Sequence, residues 1–303
     1  MASALALLTI EIGIDPEIRQ FGELLLTWHG VFTAVGIAAA VYVAVIFGRR
    51  LGFLDDDVYS AALIAIPGGI IGARALFVIE RWGTRGLDSV MDIVRINEGG
   101  ISIYGAILGG IIGGLIYGAI RKLPLRRALD VAAFAALIGM AIGRIGDLIN
   151  GEHFSEVSSL PWAVRYTNLN NPSVNAHPDC GLNPFTVDVS QLCAQHPAVA
   201  YEMLGDLLIF GLIFVAFHLV RKDGIAFFSF ILLYSLMRFG VSELRLDSRE
   251  IIAGLTTPQV TALFLIPMAA LGLLYSLRGE PRDISTSTGA GPPAAEPAKA
   301  TGG

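Results

Sequence analysis

The chain has 303 residues, of which 54% are hydrophobic and only 16% charged, with a formal net charge of −5. That balance is too apolar for an ordinary soluble domain, and several runs are long enough to cross a bilayer. No basic patch supports nucleic-acid binding, and two cysteines without clustered histidines argue against a structural metal site.

Met1 to Ile10 has no positive segment and only a short apolar core before Glu11, Asp15 and Glu17. It is expected to stay on the mature protein and lie along the membrane surface. Seven apolar runs follow, roughly 24–47, 58–79, 101–120, 128–150, 201–220, 225–244 and 257–277. Arg49 and Arg50, then Arg121, Lys122, Arg126 and Arg127, then Arg221 and Lys222, then Arg278 and Arg282 all fall on one side. The positive-inside rule makes that side cytoplasmic. The N-terminus and the 80–100, 151–200 and 245–256 loops are then external, and the C-terminus is internal.

The expected fold is an all-α polytopic membrane protein of seven transmembrane helices. Residues 1–278 form one transmembrane domain, with an external loop insertion at 151–200 between the fourth and fifth helices. Residues 279–303, dominated by Pro, Ala, Gly, Ser and Thr, read as a disordered cytoplasmic tail. In the third run, Gly105, Gly109, Gly110, Gly113 and Gly114 repeat small residues at helical spacing, which lets helix backbones pack closely. The 151–200 loop is mainly irregular. Cys180 and Cys193 lie in it and are able to pair if it faces an oxidising compartment.

Ionisable residues inside the runs are costly at membrane depth and so mark a functional site by default. At 1.5 Å per residue, Arg74 and Arg144 lie roughly 24 Å from the inner ends of their runs and Arg238 roughly 20 Å. His29 and Tyr104 sit a few residues below the outer surface. All five fall in the outer half of the bilayer, where an anion must repay the cost of the arginines. A guanidinium matches a phosphate in a bidentate fork, and phospholipid head groups supply phosphate. Asp147, Glu152, Glu202 and Glu243 are carboxylates that can take some of that charge instead.

The stretch Gly143-Arg144-Ile145-Gly146-Asp147-Leu148-Ile149-Asn150-Gly151-Glu152 resembles the signature Gly-Arg-x-Gly-Asn-x-x-Asn-x-Glu of the phosphatidylglycerol–prolipoprotein diacylglyceryl transferases. Asp15-Pro16, Trp28-His29-Gly30, Gly72-Ala73-Arg74, Glu98 to Gly105, His196-Pro197 before Tyr201-Glu202, and Tyr234 before Arg238 follow in that family's order. The resemblance covers nearly all the chain before the tail. It implies a multi-pass enzyme of the bacterial cytoplasmic membrane, among membrane lipids. Such an enzyme transfers the diacylglyceryl unit of phosphatidylglycerol to the lipobox cysteine of a prolipoprotein signal peptide. A thioether forms and glycerol phosphate leaves; no cofactor or metal is required.

Under that resemblance Arg144 and Arg238 stabilise the leaving phosphate. Arg74, Asp147, Asn150, Glu152, Glu202, Tyr234, Glu243 and Arg245 line the substrate site. The chain departs from the family pattern at several positions. Asp147 replaces the usual Asn, Ser155 replaces a Gly, Tyr104 stands where many members carry a His proposed as base, and His29 stands where Tyr is common. Ser242 and Glu243 replace a Glu expected four residues after Arg238. A tyrosine is a poor base, with a reference pKa near 10, so His29 becomes the better candidate to take the thiol proton. Ionised, Asp147 would pair with Arg144 and compete with a phosphate; protonated by its apolar surroundings, it would donate a hydrogen bond as Asn does. The 151–200 loop is expected either to shape entry of the precursor, with Trp162 and Phe185 as contacts, or to be a structural cover. Two other readings compete with the transferase: a non-catalytic relative that binds anionic lipid or precursors, and a small transporter or channel. The transporter lacks a polar through-path.

Overall fold

A computed structural model describes residues 9–22, 24–81, 102–177, 180, 192–248 and 250–282. Phe185, Glu98 to Ile101, residues 1–8 and the tail from 283 onward lie outside the described residues. The long helices are α1 (Trp28–Arg50), α2 (Asp55–Arg81), α3 (Ile103–Ile120), α4 (Leu125–Asn150), α6 (Ala198–Val220), α7 (Ile225–Ser242) and α8 (Thr257–Arg278), with a single turn, α5 (Pro172–Asn175), between α4 and α6. Six of the described helices are long and apolar enough to cross a membrane; α3 contributes a shorter apolar stretch, Gly105–Ile120. The chain is therefore a polytopic membrane protein.

Strands are present as well, where the sequence suggested only helices and loops. Three two-stranded sheets occur among the described residues. β1 (Ile10–Ile12) pairs in parallel with β4 (Val164–Tyr166), β2 (Glu17–Phe21) pairs antiparallel with β3 (Leu24–Thr27), and β5 (Glu250–Ile252) pairs antiparallel with β6 (Leu255–Thr256). The first helix therefore starts at Trp28, four residues later than the apolar run suggests. Thr27 fixes that start, because its Oγ1 accepts from the Gly30 N–H at 3.2 Å and caps an otherwise orphan donor. The apolar run continues into β3, whose backbone is satisfied by β2 instead.

Two helix pairs dominate the packing, α1 with α4 and α2 with α3; α4 also meets α6 and α7, and α7 meets α8. The glycine stripe of α3 closes the second pair. A Cβ on Gly68 would sit 2.9 Å from the Gly109 carbonyl oxygen, and one on Gly109 would run into Gly68. In the first pair, a Cβ on Gly36 would sit 2.7 Å from the Gly139 oxygen. Without a water-driven hydrophobic force between helices, this backbone proximity is what holds such pairs in a membrane. Phe47 of α1 stacks on Phe134 of α4 at 4.0 Å between ring centroids, and Phe210, Phe214 and Phe217 of α6 meet these rings edge-on. That aromatic core locks α6 onto the α1–α4 pair.

At the end of the bundle where α4 begins, a fully buried Asp130 accepts from the Gly224 and Phe227 N–H groups at 2.8 and 2.9 Å, capping the start of α7. Arg282 reaches the same carboxylate at 3.3 Å and Asp223 at 2.7 Å, tying the segment after α8 into the bundle. The opposite end, where α4 terminates, holds the polar cluster described next.

Candidate active site

The site is built on the last two turns of α4. Arg144 and Asp147 lie three residues apart and so share a helix face, where Arg144 Nη1 donates to Asp147 Oδ2 at 2.9 Å. Gly151, at φ 62, ends the helix in the left-handed conformation and its N–H donates to the Asp147 carbonyl. A Cβ there would collide with the Asn171 amide.

The loop after α4 caps the carbonyls this ending leaves open. Tyr166 donates to the Leu148 oxygen at 2.8 Å, Asn171 Nδ2 to Ile149 at 3.2 Å and Ser173 Oγ to Gly151 at 2.6 Å. Cys180 and Cys193 form a disulfide in the same region. Trp162 is exposed, and its Nε1 donates to the Tyr201 hydroxyl at 2.8 Å, next to Glu202 at the head of α6.

Glu202 is the centre of the cluster and is 1% exposed. Arg238 of α7 and Arg245, just beyond α7, both donate to its Oε1, Arg245 at 3.0 Å. Arg144 Nη2 lies 2.7 Å from Oε2 as an ion pair. Counted along their helices, Arg144, Glu202 and Arg238 sit about 6–9 Å inside the bundle end. Three arginines from separate segments thus converge on one carboxylate.

The third arginine is Arg245, whereas the sequence placed Arg74 level with Arg144 and Arg238. Arg74 is buried on α2 with its guanidinium 5.3 Å from the Phe77 ring centroid. Tyr234 stands one turn before Arg238, half-buried against the aromatic core. Glu243 caps the end of α7 and accepts from Gln259 Nε2, so it faces the start of α8. Tyr104 is the second residue of α3; its side chain lies outside what is described. Ser155 is buried; its N–H donates to Gln195 Oε1 at 3.1 Å.

His29 meets this cluster from α1. Its Nδ1 lies 2.5 Å from Asp147 Oδ1, and its backbone N–H donates to Asn150 Oδ1 at 3.2 Å. Asn150 in turn donates to Glu152 Oε1 at 2.8 Å. The close approach depends on Gly146, whose missing Cβ would sit 2.8 Å from the His29 Cα.

Three groups escaped the sequence reading. His153 and Asp247 are loop residues that meet across 94 positions of sequence, with Nδ1 2.9 Å from Oδ2, while Arg245 grips Asp247 with two donors at 2.9 and 2.5 Å. His153 Nε2 also lies 3.6 Å from Asp147 Oδ2. Burial opposes the charged form of His153, but hydrogen bonds to Asp147 and Asp247 outweigh it and hold the imidazole pKa above its ordinary value. Burial likewise opposes ionisation of Asp247, yet His153 and Arg245 keep it below the usual carboxylate range. The third group is Asp206, fully buried one turn beyond Glu202, with neither oxygen hydrogen-bonded among the described residues. Its spacing of four from Glu202 in an apolar run was the available signal.

Among the described residues, no group of three or more His, Cys, Asp or Glu side chains is placed to share a metal ion. What the cluster offers is cationic hydrogen-bond donors for an anion, with a histidine beside them. Fold and site define a polytopic membrane protein with a buried arginine–carboxylate cluster at one end of its helix bundle.

The family model for prolipoprotein diacylglyceryl transferase matches residues 16–275. A phosphatidylglycerol–prolipoprotein diacylglyceryl transferase of Dehalococcoides mccartyi is 35% identical over 277 residues, covering 88% of this chain and 96% of that protein. Proteins of the same name are 30% identical in Lactiplantibacillus plantarum, over 88% of this chain and 90% of theirs, and in Symbiobacterium thermophilum, over 91% and 97%. The chain belongs to the prolipoprotein diacylglyceryl transferase family.

Proposed function

We propose that the protein transfers the diacylglyceryl group of phosphatidylglycerol to the cysteine thiol of a prolipoprotein, and that the cluster around Glu202 is where this happens. Membership of the family and the names of its relatives support the activity. The observation that carries the site is the convergence of Arg144, Arg238 and Arg245 on Glu202.

Forming a thioether requires a new sulfur–carbon bond on the glyceryl unit and cleavage of its carbon–oxygen bond to phosphate, with the electron pair leaving on the phosphate oxygen. Arg144 and Arg238, preorganised in a site shielded from water, stabilise that developing charge. Arg74, Asn150, Glu152, Tyr234, Glu243 and Arg245 complete or support the binding surface, and Tyr104 belongs to the same reading by the family pattern. A thiol with pKa near 8.5 needs a base or nearby positive charge to react at neutral pH; His29 takes its proton.

The fine topology belongs to the same reading. In this reading α3 joins the six longer apolar helices as a seventh span, and the positive-inside rule supports an external cluster with the Arg- and Lys-rich loops at the cytoplasmic face of the bacterial cell membrane. Residues 1–278 act as one domain followed by a tail. The partners are phosphatidylglycerol and a signal peptide carrying a lipobox cysteine, in a bed of membrane lipids, with no role for nucleic acid or a cofactor.

The test is transfer of radiolabelled diacylglyceryl groups from phosphatidylglycerol to a lipobox peptide in vesicles. The unaltered protein transfers label, and Arg144→Ala and Arg238→Ala abolish it. Full activity in both variants overturns the phosphate-clamp assignment, and lipid binding without transfer by the unaltered protein replaces the enzyme with a binding protein.

A further inference from the structure

His29 of α1 and Asp147 of α4 touch each other. We propose that they act as a unit: Asp147 is a positioning residue that accepts the Nδ1–H of His29, leaving the Nε2 lone pair free to take the substrate thiol proton. The inference rests on the transferase reading and deepens it.

The geometry supports each part. His29 Nδ1 is 2.5 Å from Asp147 Oδ1, while the Asn150 side chain accepts the His29 backbone N–H and holds the start of α1 in place. The His29 side chain is 44% exposed and that of Asp147 only 8%, so the ring presents an edge outward while its anchor is buried. A carboxylate that accepts one ring N–H selects the tautomer and leaves the other nitrogen as base. The proton balance is complete: the thiol hydrogen moves to Nε2, the thiolate sulfur bonds to the glyceryl carbon, and glycerol phosphate departs with the carbon–oxygen electron pair.

Asp147 also pairs with Arg144, and that pairing provides the discriminating experiment. Arg144 Nη1 donates to Oδ2 and, as a guanidinium, can only donate. After Asp147→Asn, the amide oxygen therefore stays with Arg144 and the amide NH2 turns to His29. That group donates to Nδ1, moves the ring proton to Nε2 and removes the base. The alternative assigns Asp147 only a competing role against phosphate on Arg144, and then the same substitution strengthens lipid binding and leaves turnover intact.

The charged groups around the ring are Asp147, Arg144 and Glu152 at the end of α4, with His153 on the far side of Asp147. The substitutions His29→Gln and Asp147→Asn are neutral and preserve shape, so folding is expected to survive. The experiment measures kcat and KM for phosphatidylglycerol as a function of pH, using full-length protein and a lipobox peptide. The expected result for Asp147→Asn is a fall in kcat of about 10²–10⁴-fold with KM within about twofold. The acidic limb of the kcat/KM profile disappears in both Asp147→Asn and His29→Gln, and the double variant is no slower than His29→Gln alone, because both changes remove one function. Unchanged kcat with lowered KM in Asp147→Asn, or additive losses in the double variant, overturns the dyad while leaving the transferase intact. No transfer by the unaltered protein overturns both.

Discussion

Gly146 of α4 and His29 of α1 are in backbone contact: a Cβ on Gly146 would lie 2.8 Å from the His29 Cα and 3.0 Å from the Trp28 carbonyl oxygen. The glycine is what allows His29 to reach Asp147 and its N–H to reach Asn150. Gly146→Ala is therefore expected to push α1 away, costing about 1–3 kcal/mol of stability as overpacking and at least about tenfold in transfer rate, since one 1.4 kcal/mol step in the barrier is a factor of ten. Thermal unfolding and the vesicle assay measure the two effects. Gly211→Ala is the control, because a Cβ on that exposed α6 residue meets nothing within 4 Å; equal losses in both variants would contradict the steric account.

Glu202 is the carboxylate three guanidiniums share; Arg144 keeps Asp147 and Arg245 keeps Asp247 when it is removed, so among the described residues Arg238 is the one left as buried positive charge without a counterion. Breaking such a pair costs about 3–5 kcal/mol. Glu202→Gln should accordingly lower the unfolding temperature, and an anionic head group should recover much of the loss by occupying the vacated charge position, through ordinary binding linkage. The measurement is thermal unfolding in detergent with added phosphatidylglycerol or a zwitterionic lipid. The variant is expected to gain more from phosphatidylglycerol than the unaltered protein does, and an equal response to both lipids would refute this view of the clamp.

How much of this was readable beforehand follows from the physics of each feature. The spans were legible because twenty apolar residues in a row have few other fates, and the small-residue stripe of α3 announced close helix packing without naming α2 as the partner. Arg144, Arg238, Glu202 and Asn150 could be found from the cost of polar groups at depth together with the family pattern. Arg245 could be named as a site residue from the family pattern, but its place as the third arginine could not: depth counting selects Arg74, while the turn after α7 brings Arg245 to Glu202. His153 and Asp247 were invisible because each lies in a polar loop, and only the fold brings them together across 94 residues. The run from 24 to 47 hid a boundary, since β3 is as apolar as the helix it precedes and only the Thr27 cap separates them.

The His153–Asp247 pair gives the clasp over Glu202 a pH dependence whose sign can be worked out. His153 has a folded pKa above its unfolded value near 6.5, so its stabilisation is complete below that pH and is lost as pH rises through the folded value. Asp247 is depressed, so its contribution is present above the unfolded value near 3.9 and is lost only as pH falls toward the folded one. The clasp is therefore strongest between about pH 4 and 6.5 and loosens on the alkaline side. Hydrogen exchange of residues 244–248 is expected to accelerate from pH 6 to 9, after correction for intrinsic rates, more in the unaltered protein than in His153→Gln. Identical pH trends would show that the imidazole does not hold this segment.

Asn171 supports the site from further away, through the end of α4. It is fully buried, donates to the Ile149 carbonyl and accepts from the Ser173 N–H at 3.0 Å, while the adjacent Ser173 hydroxyl satisfies Gly151. Asn171→Ala strands a part-buried carbonyl and a buried N–H, a loss of about 1–3 kcal/mol, and lets the last turn of α4 fray where Asp147 and Asn150 must be held. Asn171→Asp keeps the acceptor for Ser173 but removes the donor to Ile149 and places a negative charge near helix carbonyls, so it should be at least as harmful. Both variants are expected to unfold at lower temperature and to lose transfer activity together. A variant that loses stability while retaining full activity would show that the loop caps the helix without positioning the residues that do the chemistry.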